Sequence, residues 1–199
     1  MSITTTNGAL ASRSISQSGY RQALYPVLVI FGIALIALSA KIQVPFWPVP
    51  MTLQTLAIAG VAAAYGLRLG LVTIVAYLAA GYMGAPVFAG PAAGPLYFAG
   101  PTAGFLAGFV VLTAIVGYVA DRVSSENVLA LFSAMIIGDV LLFAMGFAWL
   151  AYIFVASSGN TLGAETAWGI INPFIAGDIV KMILAAALVP AISHFMRKK

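Results

Sequence analysis

Six apolar stretches occupy most of this chain, and nearly every charge lies between them or at their ends. They run from about Ala23 to Ala40, Met51 to Tyr65, Leu69 to Met83, Thr102 to Ala120, Val128 to Val155 and Pro173 to Phe195. A membrane helix needs about 20 apolar residues, so the chain has room for about five to seven spans with short loops. With only 7% charged residues, a water-soluble domain could not cover its surface. The mean hydropathy of +1.06 agrees. The expected fold is an all-α integral membrane protein, six transmembrane helices in one bundle. Residues 1–22 are expected to be a polar, disordered tail and 23–199 the membrane domain.

The charges orient the bundle. If both ends face the cytoplasm, Arg13, Arg21, Arg68, Arg122, Arg197, Lys198 and Lys199 all fall on that side. Lys41 alone flanks the outer side, and this asymmetry satisfies the positive-inside rule. The implied location is the cytoplasmic (inner) membrane, multi-pass, in contact with the lipid bilayer. At the start of the sixth stretch, Asn172 suits a cap and Pro173 a first helical position.

Several chemistries are excluded. Cysteine is absent, which removes disulfides, iron–sulfur clusters and thiolate zinc. His194 is the only histidine, so no clustered-imidazole metal site fits, and no cofactor is expected. No phosphate-binding Gly-rich loop and no hydrolase motif occurs. No basic run exceeds Arg197-Lys198-Lys199, which argues against nucleic acid. The halves show no repeat of the kind found in alternating-access carriers.

Five features carry chemistry. Asp178 and Lys181 are three residues apart and share one helix face. From a helix start at Pro173 they would lie about 8 and 12 Å along the axis. Each would cost about 2.5–3.5 kcal/mol near mid-bilayer, so both should face the bundle interior or a cavity. Asp139, in the fifth stretch, is either a third member of a buried polar cluster or a protonated, hydrogen-bonded carboxyl. The connection Gly84–Pro101 is uncharged, with four glycines and four prolines. Linkers in water are polar, so this one should lie over a pocket as an outer lid or re-entrant loop. Thr52 and Gln54, after the Pro45–Pro50 turn, could bind a ligand or open a helix. Trp47, Trp149, Trp168, Tyr97 and Tyr152 fall towards the outer half, as interface anchors or pocket walls. Small residues at four-residue spacing (Ala76/Ala80/Gly84, Gly104/Gly108, Ala144/Ala148) suit close helix approach.

Four stretches, Pro48-Val-Pro-Met-Thr-Leu-Gln-Thr-Leu56, Gly84-Ala-Pro-Val-Phe-Ala-Gly90, Gly100-Pro-Thr-Ala-Gly-Phe105 and Pro173-Phe-Ile-Ala-Gly-Asp-Ile-Val-Lys181, resemble the signatures of the BioY family. These are the biotin-binding S components of energy-coupling-factor transporters. The resemblance covers Ala23 to the C-terminus and implies biotin captured from the outer side. It also implies a T-component membrane protein and two ABC-type ATPases as partners, which fits the missing nucleotide motif. It carries ligand binding onto Asp178 and Lys181. The motif stretches supply Thr52, Gln54, Gly90, Gly100, Thr102 and Phe174 as further candidates, with Tyr97 and Trp149 from the aromatic set. Asp178 could accept a ureido N–H, and Lys181 could meet either the ureido oxygen or the carboxylate. The competing readings are an S component for another small vitamin, an intramembrane enzyme using Asp139 and Asp178 as acid and base, and a channel. One Asp–Lys pair in an asymmetric chain does not suit the last.

Overall fold

The computed structural model describes residues 20–45, 49–124, 127–158 and 164–197. The tail before Tyr20 and the side chains of Trp47, Trp168 and His194 lie outside the described residues. The elements are α1 (Tyr20–Lys41), β1 (Gln43–Val44), β2 (Met51–Thr52), α2 (Gln54–Tyr82), α3 (Pro95–Phe98), α4 (Ala103–Ala120), α5 (Val128–Ser158) and α6 (Ala164–Arg197). The regular elements of the described structure are helices apart from one short ribbon. Five of these helices are long and apolar enough to cross a membrane. The chain is an all-α membrane protein.

α2 is two helical arms joined at a break. Gly66 sits at φ 74°, ψ −175°, a region essentially reserved for glycine. The two halves on either side fold back on each other. Gln54 Nε2 donates to the Tyr77 hydroxyl at 2.8 Å, and a Cβ on Gly70 would lie 3.6 Å from the Ala62 backbone. α2 is therefore a helical hairpin with arms of about 18 and 24 Å. The chain thus traverses the bundle six times, with the turn at Gly66-Leu67-Arg68. Asp121, at the end of α4, accepts the Leu67 amide at 3.1 Å and fastens this turn. Arg122 lies over the Tyr118 ring at 3.3 Å beside it.

Two starts differ from the sequence expectation. The second run does not begin as helix at Met51. Met51 and Thr52 pair antiparallel with Val44 and Gln43, and helix begins only at Gln54. The last helix begins at Ala164, not Pro173. Asn172 is therefore exposed helix interior rather than a cap, and Pro173 forgoes an interior amide bond. Asp178 and Lys181 consequently lie about 21 and 26 Å along α6, well beyond the 8 and 12 Å reckoned from Pro173.

The core is apolar side chains of α2, α4, α5 and α6, joined by Ile36 of α1 and Phe88 of the connection, with Tyr77, Leu112, Met135, Leu142 and Met182 almost wholly buried. Close approach is concentrated between α4 and α5. A Cβ on Gly108 would lie 2.8 Å from the Leu142 Cα, so no larger residue fits that contact. Ala144 and Ala148 do not share in it, since both are exposed on the far side of α5.

Candidate functional site

A cavity of about 520 Å3, counting its open mouth, lies at the end of the bundle where α2 begins. Val49, Pro50, Thr52, Gln54 and Thr55 line it from the ribbon and the first turn of α2. Ala89, Tyr97 and Thr102 come from the Gly84–Pro101 connection and its exit. Phe105, Leu106 and Phe109 come from α4, Leu142 and Phe143 from α5, and Phe174, Asp178 and Lys181 from α6. The wall is aromatic. Phe174 packs edge-on against Phe143 at 5.7 Å and Phe147 at 6.0 Å, and Phe105 against Phe143 at 5.9 Å.

The polar groups converge on one spot. Lys181 Nζ and Asp178 Oδ1 form an ion pair at 2.5 Å, both residues buried. Thr55 donates to the same Asp178 oxygen at 2.9 Å and receives Lys181 Nζ at 3.5 Å. The other Asp178 oxygen, Oδ2, is buried and has no hydrogen-bond partner. A buried acceptor in a low-dielectric site is costly to leave without a partner.

The mouth is shaped by backbone carbonyls tied to distant helices. Gln54 donates to Tyr77, whose hydroxyl donates to the Val87 carbonyl at 3.0 Å. Lys41 donates to the carbonyls of Phe88 and Gly90, and Trp149 donates to that of Gly100 at 2.9 Å. Phe88 stacks on Tyr97 at 4.6 Å and meets Tyr77 edge-on at 5.4 Å. Burial pushes the Tyr97 phenol above its ordinary value, opposed by its hydrogen bond with Thr102, so it stays neutral. The uncharged connection is thus pinned to the bundle by buried rings rather than solvated.

Of the ten candidate residues, Thr52, Gln54, Tyr97, Thr102, Phe174, Asp178 and Lys181 line the cavity. Gly90, Gly100 and Trp149 do not. Gly90 and Gly100 offer carbonyls to Lys41 and Trp149, one layer behind the wall. Thr52 has both geometries open to it, lining the cavity and accepting the Gln54 amide at 3.2 Å. Asp139 lies one turn from Leu142 on α5, buried, off the lining, with Oδ1 unpartnered. Tyr152 is 65% exposed and lines nothing. Thr55 and Phe105 lie within the motif stretches Pro48–Leu56 and Gly100–Phe105 but are not among the ten candidates, and Leu106 and Phe109 carry no signal beyond an apolar run.

Residues 11–198 match the family model described as "BioY family". The chain belongs to the BioY family. The match reaches back beyond Ala23 into the polar tail. The biotin transporter BioY2 of Lactococcus lactis is 31% identical over 176 residues, covering 84% of this chain and 91% of that one. The biotin transporter BioY of Rhizobium etli is 33% identical over 167 residues, covering 80% and 86%. A crystal structure of the S-component for biotin from an ECF-type ABC transporter superposes with a TM-score of 0.74 at 22% identity. It covers 92% of this chain and 96% of that chain, and shares the fold. Family membership places the chain among multi-pass membrane transport proteins, not enzymes.

Proposed function

We propose that this protein takes up biotin, capturing it in the cavity over Asp178 and Lys181 as the substrate-binding subunit of an energy-coupling-factor transporter. The observation that carries the reading is the buried Asp178–Lys181 pair, with Asp178 Oδ2 unpartnered, beside a largely aromatic and aliphatic wall. Biotin matches that lining. Its thiophane ring and chain suit the phenylalanine wall, and its ureido group offers two N–H donors and one oxygen. A ureido N–H to Asp178 Oδ2 and the ureido oxygen to Lys181 are both charge-assisted bonds. The relatives named as biotin transporters support the choice of vitamin.

Arg68 and Arg122 flank the end of the bundle opposite the cavity, whereas Lys41 is bonded to the Phe88–Gly90 segment at the cavity end. Under the positive-inside rule the cavity then opens outward in the cytoplasmic membrane, with both termini inside. The chain has no nucleotide-binding loop, so energy must come from elsewhere. A T component and two ABC-type ATPases supply it in this reading. Another vitamin would have to present the same N–H and carbonyl pair to Asp178 and Lys181.

Calorimetric titration of the purified protein in detergent, without ATP, tests the ligand. Stoichiometric binding of biotin is expected. No heat with biotin, together with a signal from thiamine or riboflavin, would overturn the vitamin assignment.

A further inference from the structure

Lys41 ends α1, where a cation ordinarily serves the helix's own last carbonyls. Here it does something else. Its Nζ donates to the carbonyls of Phe88 and Gly90, each at 2.7 Å, 47 and 49 residues along the chain. Ala89, the residue between them, lines the cavity. Phe88 is 1% exposed and stacked on Tyr97, so the segment that holds the ammonium is fixed by buried packing. An ammonium carries three donors. Among the described residues its partners are these two neutral carbonyls, and no carboxylate is among them.

The other cations of the described residues are committed or remote. Lys181 is ion-paired with Asp178 and bonded to Thr55. Arg122 packs on Tyr118 near the Gly66 turn, and Arg68 lies within that turn. Among the described residues, Lys41 is the one cation at the cavity end that no carboxylate neutralises. A ligand with one anionic end thus finds a neutral, paired site within the cavity and, just behind the lining at Ala89, a positive charge held on the carbonyls of Phe88 and Gly90.

We propose that Lys41 is the anion receptor of this site. It engages the ligand's carboxylate at the mouth, while Asp178 and Lys181 hold the uncharged end. The assignment rests on the biotin reading and makes Lys41 the residue that selects a free carboxylate. An amide or ester of the same skeleton satisfies Asp178 and Lys181 equally but gives Lys41 no charge to meet.

The test titrates the full chain in detergent with biotin and with its uncharged methyl ester. Wild type should prefer biotin by about 10- to 100-fold, the range of a hydrogen bond to a charged group. Lys41→Met should lose that preference, binding the ester within about threefold of wild type and biotin no better. Lys41→Arg should keep most of it. Equal loss of both ligands in Lys41→Met means that the lysine only braces the loop, and overturns the assignment. An unchanged preference overturns it as well. A wild type silent to both ligands overturns the biotin reading and this assignment with it, an outcome distinct from either failure of Lys41 alone.

Discussion

The two ends of the bundle solve the same problem, reversing the chain, by opposite means. At the end away from the cavity, α2 turns on one glycine, and a single carboxylate from Asp121 fastens the Leu67 amide. At the cavity end, residues 84–101 spend a long irregular stretch before α4 begins. Their carbonyls are held by side chains from three separate helices: Lys41 of α1, Tyr77 of α2 and Trp149 of α5. The short turn stiffens and leaves no room for a ligand. The long connection is keyed to several helices at once, so its position registers any change in their packing. Irregular backbone at membrane depth survives only against protein or a cavity, and here it does both.

The contrast predicts that damage at the two ends should separate binding from stability. Thr55→Val is the larger effect on binding. It keeps the shape but strips Asp178 Oδ1 of one of its two partners. A hydrogen bond to a charged group contributes about 1.5–3 kcal/mol, so biotin affinity should fall about 10- to 150-fold. Titration calorimetry checks this, and a loss under threefold would mean that Thr55 does not support the site.

Gly66→Ala should do the reverse. A side chain at that φ, ψ costs about 1–3 kcal/mol of folding free energy, which a thermal melt in detergent would show as a lower midpoint. The molecules that remain folded should bind biotin with wild-type affinity. A drop in affinity without a drop in melting temperature would contradict the division between the two ends.

Much of this was legible in the sequence, for physical reasons. Charges are so costly in a bilayer that Asp178 and Lys181 stand out at once, and an uncharged Gly-Pro connection cannot be a solvated linker. The Gly66 turn was visible because glycine and arginine interrupt an apolar run. What escaped depended on contacts far along the chain. Thr55 is an ordinary hydroxyl until α6, 123 residues later, brings Asp178 to it. The ribbon of Gln43–Val44 and Met51–Thr52 is too short to show alternation. The start of α6 was misplaced because Asn172-Pro173 carries the local signature of a helix start, while Ala164–Ile171 carries no competing stop. Lys41 looked like a flanking charge because its two carbonyl partners belong to a loop whose path the sequence does not fix.

In the proposed function Asp178 and Lys181 bind the ligand and do not merely join helices. The double variant Asp178→Asn/Lys181→Met tests it most directly. It removes both charges together and strands neither. A buried ion pair can be replaced by neutral groups at little cost, so the melting temperature should stay close to wild type. Biotin affinity should fall about 30- to several-thousand-fold, as when a buried charged hydrogen bond worth about 2–5 kcal/mol is lost. A folded double variant that binds biotin within about threefold of wild type, less than about 1 kcal/mol, would contradict the account.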